Sequence, residues 1–202
     1  MQIFVLSDNT AGPPNFLAEH GLSLLIRSEA DDLLLDTGQG TAAMHNAEIL
    51  KLSLDNLRAL VLSHGHYDEI PRVTNFETGD ANLKVKWGEA FEIDPLLDDQ
   101  ALFVTSPDGV IVILGCAHAG AINTIRHAVE ITGNKKIRAV VGGSHLLFLG
   151  SEQLQRTVEE LKLINPELMA FSHCTGQAAA RRLSQEFGET FVFNQTGNVI
   201  NI

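Results

Sequence analysis

The sequence predicts an α/β protein in which mixed β-sheets are covered by helices. Hydrophobic residues make up 45% and charged residues 19% of the 202 positions, which is typical of a globular protein with a substantial core. The first half contains pairs of apolar runs separated by short polar turns, a pattern that favours hairpins. The second half alternates apolar runs with helical patterns, which favours parallel strands joined by helices. No interior linker separates two domains, so we expect one domain over residues 1–202.

The first half of the chain predicts strands with one helix between them. The Ala-Leu-Val-Leu run at residues 59–62 is entirely apolar, which predicts a buried strand. Helical spacing without a proline predicts a helix over residues 42–52, with Thr37 or Thr41 as its N-terminal cap. The predicted strands of this half are residues 2–6, 22–27, 33–35, 59–62 and 83–87.

The second half begins after an acidic segment, residues 94–100, that we interpret as a linker. The turn Ser106-Pro107-Asp108-Gly109 predicts a hairpin, because proline and glycine stand where a tight turn needs them. Gly133-Asn134 and Asn165-Pro166 are typical of helix ends, and Ser151 could cap the helix that it begins. The predicted strands are residues 101–105, 110–114, 137–141 and 168–171 with two short ones near Phe191 and Val199, and the predicted helices are residues 121–131, 151–164 and 177–186.

Composition narrows the partners that the protein can have. A net charge of -11 repels the phosphates of nucleic acids and anionic membranes, so we expect neither as a partner. No apolar run approaches the roughly 18 residues of a membrane span, and the apolar start is too short for a signal peptide. Two cysteines do not form a disulfide framework, which favours a reducing compartment. We therefore expect a cytoplasmic protein that acts on a small molecule.

A cluster of polar residues follows the apolar run at 59–62. His64 and His66 are two residues apart, and Asp68 is two residues further on. Alternate residues of an extended segment point the same way, so this spacing is typical of metal ligands. Gly65 lets the backbone bend until both imidazoles reach one ion. The alternative is a solvated polar loop that merely contains two histidines.

Five of the eight histidines follow the end of a predicted strand. Ligands in α/β proteins bind at the carboxyl ends of strands, so four strands that each end in histidine indicate a shared metal ion. His20, His45 and His127 do not follow strands, and we expect surface or supporting roles for them. The strand-end histidines are His64, His66, His118, His145 and His173.

Cys116 and Cys174 neighbour two of the proposed ligands. As thiolates they could bind zinc. Neighbours on an extended strand point to opposite faces, however, so we expect both cysteines to be buried and chemically inert.

These motifs resemble the metallo-β-lactamase superfamily, whose signature is a His-x-His-x-Asp-His loop after a strand. Within it, the chain is similar to the 7,8-dihydropterin-6-methyl-4-(β-D-ribofuranosyl)-aminobenzene-5′-phosphate synthase-like branch. The resemblance implies a four-layer αββα sandwich of two mixed β-sheets, with a metal site at the sheet edge. The matching segments are residues 19–26, 33–39, 62–68, 115–120, 142–146 and 172–176.

The resemblance also implies a ligand set. His64, His66 and His118 would hold one ion. Asp68 and His173 would help to hold a second ion. We therefore expect one or two divalent metal ions, with zinc first and manganese or iron as alternatives.

Two positions depart from the family pattern. His145 stands where most of the superfamily has a bridging aspartate, although a Gly-Gly-x-His-Leu segment is itself similar to this branch. Glu69 replaces the histidine that follows the aspartate. Its carboxylate could still bind the second ion, with a shift toward harder metals, or the second site could fill weakly. The chain is also short between Ile70 and Leu102, where relatives usually have more residues.

The function that follows is metal-dependent hydrolysis, in which a metal-bound hydroxide attacks a small phosphoester, ester or lactone. Asp68 would be a ligand and, with a single ion, the catalytic general base. Asn9 and Asp8, at the end of the first strand, are candidates for substrate binding.

Two alternatives remain open at the level of sequence. A synthase that joins a pterin to a ribosyl-aminobenzene phosphate would need a cation for the phosphate, and Arg72, Lys84 and Lys86 are the basic residues near the motif. A non-catalytic metal-binding relative with a degraded second site would explain Glu69 and the short segment after it.

Overall fold

The computed structural model of the chain describes residues 1–63, 74–87, 89–96, 99–147 and 149–202. Of the predicted metal-binding residues, His64, His66, Asp68 and Glu69 lie outside the described residues. Because Asp68 is one of them, its predicted role as general base also falls there. His118, His145 and His173 lie within them.

The described residues form strands and helices in the order that the sequence predicts, with one additional strand. Short 3-10 turns at His173–Thr175 and Gly188–Thr190 flank the last helix. The strands are β1 (Gln2–Ser7), β2 (Ser23–Arg27), β3 (Asp32–Leu35), β4 (Leu57–Val61), β5 (Lys84–Trp87), β6 (Ala90–Ile93), β7 (Ala101–Ser106), β8 (Gly109–Leu114), β9 (Ile137–Gly143), β10 (Met169–Ser172), β11 (Phe191–Phe193) and β12 (Val199–Asn201). The helices are α1 (Ala42–Ile49), α2 (Ala121–Thr132), α3 (Ser151–Ile164) and α4 (Gln177–Phe187).

The strands form two five-stranded mixed sheets and one separate hairpin. The first sheet has the order β12-β1-β2-β3-β4, and only its β3–β4 pair is parallel. The second sheet has the order β11-β10-β9-β8-β7, and its β8, β9, β10 and β11 run parallel. The carboxyl ends of β8, β9 and β10 therefore meet at one edge of the second sheet, as the positions of the histidines predict.

Three hydrophobic clusters divide the molecule into layers. One lies between α2, α3, α4 and the second sheet, and includes Phe171 and Leu161. Another lies between the two sheets, with Ile3 and Ile113 at its centre. The third packs α1 against the first sheet. This arrangement of helices, sheet, sheet and helix is the αββα sandwich that the resemblance implies. None of the described helices is long and apolar enough to span a bilayer.

Two predictions about the elements were wrong, and one strand was missed. The run at 59–62 is a strand but not a buried one, since β4 is the edge strand of its sheet and Leu60 is 52% exposed. Strand β6 was not predicted, because its Ala-Phe-Glu-Ile sequence is short and has no buried face. It pairs with β5, and all four of its residues are exposed to solvent. Ser151 is the first residue of α3, and the N-cap position belongs to Gly150.

Candidate metal centre

Two of the strand-end histidines lie against each other. His118 follows β8 and His145 follows β9, and their ring centroids are 4.5 Å apart in an edge-to-face arrangement. The His145 side chain is 5% exposed and that of His118 is 16% exposed. Two imidazoles that share a mostly buried location need either hydrogen-bond partners or a common ligand, because an unsatisfied buried ring nitrogen is costly.

The backbone is strained at the points where the chain turns into this site. Asp36, Ala117, His145 and His173 have φ angles of 55°, 53°, 49° and 54°, which non-glycine residues rarely adopt. Each position follows a strand that ends at the site. Such a conformation costs about 1–3 kcal/mol per residue and is concentrated at functional sites in proteins.

An oxygen atom lies near one ring nitrogen of each of the three strand-end histidines that the structure describes. Nε2 of His145 is 3.1 Å from Oδ2 of Asp80. Nδ1 of His173 is 3.0 Å from Oδ1 of Asn9. Nδ1 of His118 is 3.9 Å from Oδ1 of Asp99, whose other oxygen accepts a hydrogen bond from the backbone N–H of Ala119.

Histidines that bind metals have this kind of support. The oxygen orients the ring and makes its other nitrogen a better donor. His145 and His173 therefore have the supporting hydrogen bond that is typical of metal-binding histidines, and His118 has a buried carboxylate 3.9 Å from its ring nitrogen.

Asp80 and Asp99 are the site residues that sequence reasoning missed. We interpreted their segments as a weakly patterned stretch and an acidic linker, because neither has a clear period. Both carboxylates are buried, at 4% and 1% exposure. Their burial distinguishes these two aspartates from surface carboxylates. Burial depends on tertiary packing and cannot be predicted from the local sequence.

The pKa of His145 reflects these surroundings. Burial alone lowers the pKa of this imidazole, but hydrogen bonds with Cys174 and Asp80 outweigh burial and raise it above its ordinary value. The pKa of Asp80 shifts the other way. Burial alone raises it, and hydrogen bonds from Asn82 and His145 bring it below its ordinary value.

Asp8 and Asn9 hold His173 in place. Asp8 accepts a hydrogen bond from the backbone N–H of His173 at 2.7 Å, and from the N–H and hydroxyl of Thr10. Oδ1 of Asn9 also accepts from the N–H of Gly21, so this atom acts as an acceptor and Nδ1 of His173 is the donor. The lone pair of the ring is then on Nε2. Substrate binding by Asp8 and Asn9 stays a prediction; the structure gives both a role in positioning His173.

The two cysteines are buried and not linked, yet they lie together. The sulfur atoms of Cys116 and Cys174 and one ring nitrogen of His173 are all within 4.8 Å of one another. The expectation that neighbours point to opposite faces does not hold here, because Cys174 lies in the 3-10 turn after β10 rather than on the strand.

Hydrogen bonding makes the two thiols unequal. Burial alone raises the pKa of Cys174, but hydrogen bonds from Cys116 and His145 outweigh burial and bring the pKa well below its ordinary value. The same bond to Cys174, with burial, raises the pKa of Cys116. The backbone N–H of His145 donates to the Cys174 sulfur at 3.3 Å.

The residue just before the predicted metal-binding loop is firmly placed beside this site. The backbone N–H and hydroxyl of Ser63 donate to the Asp36 carboxylate at 2.8 and 2.5 Å. A side chain on Gly115 would clash with that of Ser63, so the end of β4 touches the chain that leads to His118.

A cavity of about 570 Å³ opens beside His173. Asp8 and Asn9 line one side of it, and the first turns of α4 line the other. Arg181 of α4 is exposed at this cavity, and none of the described carboxylates forms a salt bridge with it. The cavity therefore offers a cation close to a predicted metal ligand.

The donor set fits a divalent metal ion. Imidazole and thiolate are the ligands that zinc prefers, and carboxylates extend the range toward manganese and iron. The described residues that could hold an ion are His118, His145 and His173, with Cys116 and Cys174 beside them.

Comparison with known proteins agrees with the geometry. The metallo-beta-lactamase superfamily model matches residues 18–70, the part of the chain that ends in the predicted metal-binding loop. The chain is 24% identical to the 7,8-dihydropterin-6-methyl-4-(beta-D-ribofuranosyl)-aminobenzene-5'-phosphate synthase of Methanocaldococcus jannaschii, over 99% of this chain and 96% of the relative. That alignment extends over 282 positions against the 202 residues of this chain, so the relative has insertions.

Solved structures show the same fold. The crystal structure of Tm1679, described as a metal-dependent hydrolase of the beta-lactamase superfamily, superposes with a TM-score of 0.81 and 25% identity, over 100% of this chain and 99% of that one. The metallo-beta-lactamase fold protein YhfI of Bacillus subtilis superposes with a TM-score of 0.56 and 11% identity, over 98% of each chain, which shows the fold alone. By its fold, its matched segment and its relatives over nearly the whole chain, the chain is similar to proteins of the metallo-β-lactamase superfamily.

Proposed function

We propose that this protein is a metal-dependent hydrolase that acts on a small phosphoester. The observation that carries the proposal is the set of three strand-end histidines, each with an oxygen behind its ring, at one edge of the second sheet. Similarity to a metal-dependent hydrolase of the beta-lactamase superfamily supports it. A divalent ion lowers the pKa of bound water toward about 7 and so would supply a nucleophile at neutral pH.

The residues of the chain have distinct parts in this proposal. His118, His145 and His173 bind the metal, and Asp99, Asp80 and Asn9 orient their rings. Asp68 stays the proposed general base.

Arg181 and the N-terminus of α4 place positive charge at one side of the cavity beside His173. An anionic phosphoester suits this cavity better than a neutral ester or lactone, because Arg181 has no described carboxylate partner. Asn9 and Asp8 line the same cavity and are proposed to contact the substrate as well as His173.

A substrate panel with zinc-loaded or manganese-loaded protein tests the proposal. We expect chelator-sensitive turnover of phosphate mono- or diesters, and a loss of at least about 100-fold in His118→Ala, because a metal ligand is removed. Arg181→Gln should raise KM for phosphoesters about tenfold and leave turnover of neutral esters unchanged, since a charged hydrogen bond contributes about 1.5–3 kcal/mol. A metal-loaded sample without chelator-sensitive turnover on any phosphoester, ester or lactone would contradict the hydrolase proposal.

The synthase relative favours a second candidate function. That protein is similar over nearly the whole chain, and Arg181 could equally hold the phosphate of a ribosyl-aminobenzene phosphate. Lys84 lies on β5 and is exposed, and Arg72 lies outside the described residues. Incubation with a dihydropterin and a ribofuranosyl-aminobenzene 5′-phosphate, followed by mass spectrometry, would detect the joined product. Such a product, without hydrolysis of the panel, would favour the synthase.

A further inference from the structure

Two cysteines that are distant in the sequence come together with a predicted metal ligand. Cys116 follows β8 and Cys174 follows β10, and β9 lies between these strands. Their sulfur atoms and a ring nitrogen of His173 lie within 4.8 Å of one another. Ligands around a tetrahedral zinc ion are about 3.4–3.8 Å apart, given bond lengths of about 2.0–2.3 Å. The three atoms would have to approach one another by up to about 1 Å to share one ion.

A glycine on the intervening strand makes this approach possible. A side chain on Gly143 would place its Cβ 2.7 Å from the Cys174 sulfur and 3.2 Å from Cα of Cys116. Any residue larger than glycine would therefore occupy the space that the sulfur fills. The absence of a side chain at Gly143, the last residue of β9, leaves room for the two thiols to lie close together.

The contacts of the three side chains suit metal binding. The backbone N–H of His145 donates to the Cys174 sulfur and would stabilise a thiolate there. The protonated thiol of Cys174 donates to the carbonyl oxygen of Cys116 at 3.2 Å, and metal binding would release that proton. Nδ1 of His173 donates a hydrogen bond to Oδ1 of Asn9, which leaves the lone pair of the neutral ring on Nε2. Both cysteines are buried, at 8% and 7% exposure, and such burial protects a metal–thiolate bond from water.

We propose that Cys116, Cys174 and His173 bind one thiophilic divalent ion of the zinc class. This ligand set contains two sulfur atoms, so it selects zinc, cadmium or cobalt over magnesium and manganese. The inference deepens the proposed function and rests on its metal dependence, because it names ligands for an ion in the same centre. It replaces the expectation that both cysteines are inert.

Cobalt substitution tests the ligand set directly. Metal-stripped protein is titrated with Co²⁺ alone, and the near-ultraviolet thiolate-to-cobalt charge-transfer band is recorded. We expect the band in the unmodified chain, about half of it in Cys116→Ser and in Cys174→Ser, and none in the double variant. Gly143→Ala keeps both thiols but displaces Cys174, so it should also weaken the band.

His127→Gln is the matched control, since it removes a partly buried histidine on α2 that is not among the proposed ligands. Its band should equal that of the unmodified chain. A band that is absent from the unmodified chain, or that survives in the double variant, would overturn the proposal.

A second measurement needs no variant and so does not depend on whether the variants fold. The ¹¹³Cd NMR shift of the cadmium-loaded unmodified chain separates thiolate ligands from nitrogen and oxygen ligands. We expect a resonance in the range of cadmium bound by two thiolates. A signal only in the nitrogen and oxygen range, or no bound cadmium, contradicts the ligand set.

The two proposals fail in different ways. Chelator-sensitive turnover without a thiolate signal removes this inference and leaves the hydrolase proposal standing. A thiolate signal without turnover of any substrate contradicts the hydrolase proposal and leaves this inference standing.

Discussion

At the scale of single residues, the site depends on side chains that support the histidines rather than on the histidines alone. Asp80, Asp99 and Asn9 each present an oxygen to a different ring. Two of these come from segments without a clear pattern in the sequence. A histidine at a strand end is easy to recognise, but the orientation of its ring is decided by a partner that is distant along the chain.

Replacement of Asn9 by leucine should weaken metal binding by about 10–100-fold, because His173 loses the acceptor that orients its ring. The measurement is competition for zinc against a fluorescent chelator. Asn9→Asp keeps an oxygen acceptor for both His173 and Gly21, and its affinity should stay close to that of the unmodified chain. If Asn9→Leu raised KM without any change in zinc affinity, Asn9 would act on substrate and not through His173.

At the scale of elements, one buried carboxylate joins the segment before β5 to helix α2. Glu77 is 1% exposed and accepts hydrogen bonds from the backbone N–H groups of Ile122 and Asn123, at 3.0 and 2.6 Å. A side chain on Gly120 would clash with Glu77, so glycine at the N-cap position is required for this contact. The carboxylate caps the helix in place of a local Ser, Thr or Asp.

The free energy of unfolding should depend on pH through Glu77. Burial raises its pKa from 4.5 to about 7, although the bonds to Ile122 and Asn123 oppose the rise. The folded state therefore binds this proton more tightly than the unfolded chain does. The resulting stabilisation is complete below pH 4.5 and is lost as the pH rises through about 7.

Urea unfolding of the unmodified chain and of Glu77→Gln, at several pH values from 4.5 to 8, measures this effect. The difference between the two free energies of unfolding should change by about 3 kcal/mol over that range, to the disadvantage of the unmodified chain at high pH. Glu189→Gln, on an exposed turn, is the control and should show no such change. A pH-independent difference for Glu77→Gln would show that the carboxylate is ionised throughout.

At the scale of the whole molecule, the site joins the two sheets. Asp8 and Asn9 follow β1 of the first sheet and contact His173 of the second. Ser63, after β4, touches Gly115, after β8. An ion bound here would connect both halves of the sandwich, so binding should stabilise the entire fold and not one loop.

Zinc at about 100 times its dissociation constant should stabilise the protein by about 2.7 kcal/mol, because it binds only the folded state. For a chain of 202 residues this corresponds to a rise in Tm of about 5–10 °C, measured by differential scanning fluorimetry. EDTA should reverse the rise. His173→Ala should show a smaller rise, and an unchanged Tm in the unmodified chain would argue against a metal centre that connects the sheets.

The fold was largely accessible from the sequence because its signals are local. Hairpin turns such as Pro107-Asp108, helix ends such as Gly133 and apolar runs such as residues 110–114 depend on neighbouring residues. The structure confirms each of these elements. Strand β6 and the exposed position of β4 could not be predicted from the sequence. The exposure of a strand depends on what packs against it and not on its own residues.

For the site, the sequence by itself determined which residue types arrive at the carboxyl ends of the strands. His118, His145 and His173 follow three apolar runs that were predicted as strands, and the carboxyl ends of neighbouring parallel strands lie at the same edge of a sheet. Only the tertiary structure decided which side chains surround these histidines. The carboxylates of Asp80 and Asp99, and the meeting of Cys116 with Cys174 across Gly143, depend on contacts between residues far apart in the chain, which no local pattern encodes.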